Sequence, residues 1–190
     1  LLGPDAQRAI PKGKTTPRSL SAHVWAFAAT PQGADLTHHN VFFTDDPKAE
    51  FGPIGRGQPP EQPTLYVCAQ SRTPSAPPGP ERFEIILNAP ANLAPSTDEE
   101  PRCRQRTFPR LKAFGLTFSP DPAPSALTTP SHLASLYPAS QGAIYGRSPE
   151  GLLAAFQRPV AQTRLPGLFL TGGGAHPGAG VPMAALSARH

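Results

Sequence analysis

Proline and glycine restrict this chain more than any other feature, because 27 prolines and 17 glycines are spread over its 190 residues. Proline breaks helices and is kept out of the interior of sheets, so regular elements must be short. Hydrophobic residues amount to 38%, below the usual globular share of about 45–50%. We therefore expect a hydrophobic core that is either small or, as we favour, shared with a missing partner segment.

Short apolar runs predict several strands. Residues 21–29 (SAHVWAFAA) alternate large and small side chains as a strand does, and residues 38–44 (HHNVFFT) are a second candidate. Further strands are predicted at residues 65–69, 83–87, 114–119 and 168–170. Helix signals interrupt these runs irregularly, which favours an α+β fold over a doubly wound sheet.

Helix-start signals stand at four places. Asp46 before Pro47 is typical of an N-cap, and the glycines and proline of residues 52–55 should end that helix. The run STDEE at residues 96–100 has a capping-box pattern, and Pro109 should kink or end the helix that follows. TPS at residues 129–131 is a candidate cap for a turn of helix, and SPE at residues 148–150 predicts a further helix. Its apolar stripe would be Leu152, Leu153 and Phe156.

The charge of the chain favours anionic partners only weakly, since 17 Lys+Arg against 13 Asp+Glu give a net charge of +4. A scattered solvated surface is the plainer interpretation. The densest basic stretch, which would suit a phosphate or an anionic lipid headgroup, is Arg102, Arg104, Arg106, Arg110 and Lys112. Because aromatic residues are not interleaved with it for base stacking, we expect no nucleic-acid partner.

Membrane contact, if any, is expected to be peripheral, since no stretch approaches the about 20 apolar residues of a transmembrane helix. The first 14 residues lack the apolar segment of a signal peptide and begin without Met. Both ends of the sequence look cut, and we expect it to be part of a longer protein.

No metal site is expected. His38 and His39 are adjacent in a candidate strand, where neighbouring side chains point to opposite faces. Cys68 and Cys103 do not form a CxxC pair, so a zinc or redox motif is not visible.

A glycine-dense segment near the end of the chain is the most informative motif. The apolar run at residues 168–170 leads into TGGGAHPGAG and then into the helix-prone PMAALSAR. Glycines let the backbone approach a ligand closely, and the following helix would present unpaired N–H groups, which suits a pyrophosphate or the edge of a flavin ring. A tight connection between strand and helix is the alternative, because neither GxGxxG nor the P-loop pattern is met.

Several stretches resemble one enzyme family. GLFLTGGGAHPGAGVPMAAL at residues 167–186 resembles the C-terminal signature of the phytoene desaturase-like carotenoid dehydrogenases, and QGAIYGR and AAFQRPVAQTRLPGLFL resemble it further upstream. RSLSAHVWAF, HHNVFFTDDPKAEF and PTLYVCAQSR resemble one branch, the hydroxyneurosporene and methoxyneurosporene dehydrogenases of purple photosynthetic bacteria. The resemblance spans residues 18–190 and is strongest at the C-terminal end.

This resemblance implies a two-domain flavoprotein, in which a dinucleotide-binding domain with an N-terminal GxGxxG carries an inserted substrate domain with a mixed, mainly antiparallel sheet. Residues 1–157 would be a portion of the substrate domain, and residues 158–190 the C-terminal strand, glycine loop and helix of the FAD-binding domain. The N-terminal fingerprint is absent from this sequence. The dinucleotide-binding half is therefore expected as a missing partner, without which this chain should not hold FAD.

The resemblance also implies the residues that lie against FAD, in the glycine loop and in the turn before the last helix. They are Gly172, Gly173, Gly174, His176, Gly178, Gly180, Val181, Pro182 and Met183. Backbone amides near Gly180 would stabilise negative charge on the reduced ring. For His176 we favour a structural hydrogen bond within the loop, with contact to FAD or substrate as the alternative. No catalytic side chain is singled out, since hydride removal from a hydrocarbon depends mainly on a well-placed flavin.

The implied activity is the FAD-dependent dehydrogenation of an acyclic hydroxy- or methoxy-carotenoid. Such a substrate is insoluble in water, so the enzyme should dock peripherally on the cytoplasmic side of the inner or intracytoplasmic membrane. A long polyene would need an apolar tunnel, for which ordinary core residues are the alternative interpretation. The candidate lining is Trp25, Phe27, Phe42, Phe43, Leu65 and Tyr66. The rival functions are a carotene isomerase-type flavoprotein and an inactive fragment or binding module.

Overall fold

The computed structural model describes residues 3–72 and 75–189, and within them the chain forms an antiparallel sheet with short helices around it. The strands are β1 Ser21–Gly33, β2 His39–Phe42, β3 Leu65–Ala69, β4 Glu81–Ala89, β5 Leu116–Ser119 and β6 Leu127–Thr128. Their order is β2-β3-β4-β1-β5, with β6 paired to β1. The helices are α1 Ala6–Ala9, α2 Pro47–Gly55, α3 Glu99–Ala113, α4 Pro130–Leu136 and α5 Val181–Ser187. The predicted α+β class is confirmed.

The core lies between the sheet and α3. In β4 every second residue from Glu81 to Ala89 is buried, as the two-residue period of a strand requires. β4 pairs with β1 so that Trp25 lies opposite Ile85, and both side chains are fully buried. Helix α3 covers this face with three buried residues at intervals of four, Cys103, Thr107 and Leu111. The sheet and α3 therefore form a core without help from the glycine-rich end of the chain.

Two predicted helix caps are confirmed. The Asp46 carboxylate accepts a hydrogen bond from the Lys48 amide at 2.9 Å at the start of α2. Thr129 Oγ1 accepts one from the His132 amide at 3.2 Å at the start of α4. In both helices the residue after the cap is proline. Its lack of an N–H costs no hydrogen bond there, because N–H groups of the first turn have no carbonyl partner within the helix. Helix α2 ends at Gly55, within the predicted residues 52–55, although Pro53 lies inside it.

Helix α3 departs from the prediction at both ends. Its N-cap is Asp98, which makes no side-chain capping bond, so the capping box is not formed. Pro109 does not end the helix, which continues to Ala113. Pro109 and Gln105, whose carbonyl would have bonded to residue 109, are both exposed. Water can satisfy that carbonyl, and the buried Leu111 keeps the last turn on the core.

The chain after residue 143 has little regular structure before α5. The predicted helix at residues 148–150 is wrong: a short 3-10 turn at Ala154–Gln157 takes its place. Leu152, Leu153 and Phe156 are 99%, 60% and 71% exposed, so the predicted stripe has no surface to cover. The strand expected at residues 168–170 is reduced to a single bridge between Gln162 and Phe169. Amphipathic helices depend on packing for stability, and here the packing partner is lacking among the described residues.

Candidate functional site

The glycine loop is held by the side chain of Arg158. This arginine is 4% exposed, and its Nη1 donates to the carbonyl of Tyr145 at 2.8 Å and to the carbonyl of Gly173 at 3.0 Å. Burial, and then repulsion by Arg147, lowers the pKa of the guanidinium from its ordinary value. One buried cation thus ties the loop to the GAIYG segment.

Glycine is favoured at residue 146, where these segments meet. With φ at +68°, a Cβ on Gly146 would lie 3.1 Å from the Cα of Gly174, while one on Gly173 would be in ordinary contact with the Cα of Ala179 at 3.4 Å. The loop therefore folds back on itself and rests against the turn at residue 146. A larger residue at Gly146 would push the loop away from the rest of the chain.

A second set of bonds joins the loop to α5. The Gly172 amide donates to Ser187 Oγ at 2.8 Å, and that hydroxyl donates to the carbonyl of Ala184 at 2.6 Å. Ser187 is fully buried. The His176 amide donates to the carbonyl of Pro159 at 2.7 Å, which ties the loop to the segment that carries Arg158. The predicted loop and helix are therefore brought together as one unit.

Three glycines of this segment have free space at their Cβ positions. Gly172 and Gly180 have φ values of +117° and +104°, which favour glycine. A Cβ built on Gly172, Gly174 or Gly180 would have no described atom within 4 Å. Ligand atoms can thus approach the backbone at these three positions without meeting other described atoms.

The remaining predicted contact residues differ in exposure. Val181 and Met183 are 84% and 41% exposed, and Pro182 is exposed as well. Gly178 is buried, where its Cβ position faces the Arg158 side chain at 3.7 Å. The His176 ring is stacked on Phe156, with ring centroids 6.2 Å apart and an interplanar angle of 24°. His176 thus has a packing role in the loop, next to its backbone hydrogen bond.

The C-terminal part of the chain exposes an unusual amount of apolar side-chain surface. Of the sixteen large hydrophobic side chains exposed in the described residues, ten follow residue 143. They are Ile144, Tyr145, Leu152, Leu153, Phe156, Val160, Phe169, Val181, Met183 and Leu186. The buried hydrophobic residues of the same stretch are all alanines: Ala154, Ala161 and Ala175. Apolar exposure on this scale is typical of a surface that another part of a protein covers.

The proposed tunnel residues divide between core and surface. Trp25 and Leu65 are fully buried in the core, and Phe27 and Phe42 pack against it. Phe43 is 69% exposed, and Tyr66 is half-buried. Ordinary core packing, the alternative that the sequence left open, accounts for the buried members of the set.

The basic stretch on α3 is largely engaged within the chain. Arg104 bonds to Glu100 at 2.7 Å and lies over the Trp25 ring at 4.9 Å. Arg106 bonds to Glu61 at 2.8 Å, and Arg110 Nη2 donates to the carbonyl of Phe43 at 2.9 Å. These contacts reduce what the stretch offers to an anionic headgroup. Among the described residues, no helix has both the length and the hydrophobicity needed to cross a bilayer.

The side chains of His38 and His39 lie together, whereas the sequence predicted that they point to opposite faces. His38 lies in a bend before β2, not in extended strand, so the alternation of side chains does not apply to it. The two rings meet edge to face, with centroids 4.3 Å apart, and Cys68 of β3 lies beside them.

Arg158 and Gly146 were not among the predicted site residues. Two features of the sequence mark these residues. Arg158 is the one charged residue of the AAFQRPV run, and Gly146 is the second glycine of GAIYG. A buried arginine needs several carbonyl partners, which only the folded loop supplies. Neither residue therefore identifies its partners from sequence alone.

Comparison with known proteins adds close sequence relatives. No family model matches the chain. A hydroxyneurosporene desaturase of Rhodobacter capsulatus is 62% identical over the whole chain, which covers 39% of that protein. Proteins of the same name from Cereibacter sphaeroides and Rubrivivax gelatinosus are 60% and 42% identical, again over the whole chain and over 38% and 37% of their own lengths. The chain thus spans about two fifths of the length of these curated relatives.

Proposed function

The chain belongs to the carotenoid desaturase family, and on that premise we propose that it closes the flavin site of an FAD-dependent desaturase. The substrate of the complete enzyme would be an acyclic hydroxy- or methoxy-carotenoid, in keeping with the names of the relatives. The observation that carries the proposal is the free space at the Cβ positions of Gly172, Gly174 and Gly180.

The residues of the loop fit a flavin in shape and in polarity. A planar ring needs backbone without side chains, and Gly172, Gly174 and Gly180 supply it. Gly180 carries no side-chain oxygen to cap the first turn of α5, so the amides of Val181 and Met183 are not capped by it. Those amides would face negative charge on the reduced ring. Because α5 has only seven residues, we assign this effect to the individual N–H groups and not to a helix dipole.

When bound, the flavin would accept a hydride from a saturated carbon–carbon bond of the substrate while a proton leaves, so that one double bond is added. The chain's own residues would position the ring. Arg158 fixes the Gly173 carbonyl, and Ser187 fixes the Gly172 amide. The exposed Val181 and Met183 would exclude water from the ring edge. No side chain of the loop is assigned as a general base.

The exposed apolar surface after residue 143 fits contact with the part of the relatives that this chain does not span. We propose that it packs on the dinucleotide-binding half, with residues 1–157 belonging to the substrate domain and residues 158–190 completing the FAD-binding domain. The complete enzyme would dock on the membrane that holds its carotenoid. Accordingly, residues 1–190 expressed alone should not retain FAD through gel filtration, and retention would refute the need for the missing half.

The activity is tested by anaerobic reaction of the flavin-loaded intact protein with an acyclic hydroxycarotenoid in detergent micelles. We expect one flavin to be reduced for each double bond formed, with the carotenoid absorption moving to longer wavelength. A carotene isomerase would change the absorption without reducing the flavin. An inactive fragment would do neither.

The proposed contact with the flavin is tested by comparing substitutions at two glycines that have nearly the same positive φ. Gly180 and Gly151 have φ values of +104° and +102°, and a Cβ on either would meet no described atom within 4 Å. Gly180→Val should lower the flavin content of the purified intact protein by at least about tenfold, because the side chain would occupy the ring position. Gly151→Val places a side chain at a matching positive φ and should keep the flavin. Equal flavin content in both variants, measured by absorbance after gel filtration, would refute the contact.

A further inference from the structure

A compact group of potential metal ligands lies at the β2–β3 edge of the sheet, and the glycine loop has no part in it. His39 is the first residue of β2 and stands opposite Cys68 in the register of β2 and β3. His38 precedes it in a bend, and its carbonyl accepts from the Ala69 amide at 2.9 Å. One ring nitrogen of each histidine and the Cys68 sulfur all lie within 4.8 Å of one another. Backbone pairing thus brings three nitrogen and sulfur ligands to one point.

The spacing fits a tetrahedral ion. In a zinc site with Zn–S near 2.3 Å and Zn–N near 2.0 Å, a sulfur and a nitrogen ligand are about 3.5 Å apart. Cys68 Sγ and His38 Nε2 are 3.6 Å apart. His39 is exposed, so its ring can turn toward an ion without displacing core residues. Cys68 is 7% exposed, and its thiol is held in place by the strand.

Both histidines have hydrogen bonds that orient their rings. His38 Nδ1 lies 3.2 Å from the carbonyl of Arg72, to which it must donate, so Nε2 carries the free lone pair on the side of Cys68. His39 Nδ1 bonds to the hydroxyl of Tyr66 at 2.7 Å. Metal-bound histidines in proteins almost always have such a partner on the second nitrogen.

The Arg72 carbonyl is itself held in place by the arginine side chain. Arg72 Nε and Nη2 donate to the two carboxylate oxygens of Glu81 at 2.9 Å each, and Glu81 is 1% exposed. A third contact joins Arg72 to the carbonyl of Leu36. Since Glu81 neutralises Arg72, this guanidinium does not oppose a cation at the cluster through an uncompensated charge.

We propose that His38, His39 and Cys68 bind one Zn²⁺ ion, with the fourth ligand position open to solvent. Imidazole and thiolate are ligands that zinc prefers, and three protein ligands leave one position free. Both histidines line an open cavity of about 830 Å³, together with Asp35, Thr37 and Arg72, so solvent reaches the histidine side of the cluster. On binding, the S–H bond of Cys68 breaks, its proton passes to the buffer, and a sulfur–zinc bond forms.

Cobalt titration of the metal-free intact protein tests the site. Co²⁺ should bind one to one and give the thiolate-to-cobalt charge-transfer absorption of a tetrahedral site, which added Zn²⁺ removes. Cys68→Ser should abolish that absorption. His38→Ala and His39→Ala should each weaken Zn²⁺ binding more than about tenfold, and Tyr66→Phe about tenfold through the orientation of His39.

Matched controls come from the same chain. His132 is exposed on α4, and Cys103 is buried in α3, where burial raises the pKa of its thiol to about 11. His132→Ala and Cys103→Ala should leave the cobalt spectrum and the stoichiometry unchanged. The proposal is overturned if Cys68→Ser keeps the charge-transfer band, or if His39→Ala binds Zn²⁺ as tightly as the unaltered protein. His39 is on the surface, so this variant folds even where a buried change would not.

Discussion

Replacing Arg158 with leucine should strip the flavin from the intact protein. The substitution removes the shared donor of the Tyr145 and Gly173 carbonyls. Leaving each carbonyl unpaired in a partly buried position costs about 1–3 kcal/mol. The ordered loop would lose that stabilisation, and a loss of 1.4 kcal/mol already weakens binding about tenfold. We expect flavin content to fall by at least about tenfold, measured by absorbance after gel filtration.

Two further variants separate loop order from charge and from general destabilisation. Arg158→Lys keeps a positive charge and three hydrogen-bond donors on a shorter side chain. Its flavin content should therefore lie between those of Arg158→Leu and the unaltered protein. Arg164→Leu removes an exposed arginine of the same segment and should change nothing. Full flavin retention in Arg158→Leu, with an unchanged melting temperature, would show that the guanidinium does not organise the loop.

The secondary structure of the sheet region was predictable because its signals are local. The strand at residues 83–87 and the caps Asp46 and Thr129 depend only on nearby residues, and the structure reproduces them. The helix end predicted at Pro109 was wrong for a different reason. The cost of proline in a helix depends on whether the freed carbonyl can reach water, and exposure is a property of the folded protein.

The sequence located the glycine-rich loop but did not predict the contacts that hold it in place. Five glycines marked the loop, yet its order depends on Arg158 and Ser187, which lie 15 residues from their partners Gly173 and Gly172. The predicted helix at residues 148–150 shows the complementary error. Its apolar stripe is real in the sequence, but Leu152 at 99% exposure packs on nothing among the described residues. A helix signal without a surface to cover it gives no stable helix.

The cluster at His38, His39 and Cys68 was missed because strand alternation was extended one residue too far. His39 begins β2, but His38 lies in the bend before it, and the bend turns both rings to the same place. The partner, Cys68, comes from β3 and is 30 residues away from His38. Only the register of two strands brings these residues together.

Gly33→Ala should destabilise the sheet more than an alanine at any other glycine of the chain would. A Cβ at this position would lie 1.9 Å from the carbonyl oxygen of Gly115, which accepts the Ala34 amide at 2.9 Å. Since φ at Gly33 is +95°, backbone strain adds about 1–2 kcal/mol. Loss of the hydrogen bond adds about 1–3 kcal/mol. The free energy of unfolding should fall by about 2–5 kcal/mol in total.

Gly115→Ala is the matched control, because Gly115 also has a positive φ, +82°, but a Cβ there would meet no described atom within 4 Å. It should cost only the strain of about 1–2 kcal/mol. Urea unfolding of the intact protein measures both values, and hydrogen exchange of peptides from β1 and β5 shows where protection is lost. Greater loss of protection in Gly33→Ala at the β1–β5 pairing is the expected pattern. Equal losses of unfolding free energy in the two variants would contradict the prediction. They would show that the close approach of Gly33 to the Gly115 carbonyl is not part of the stable fold.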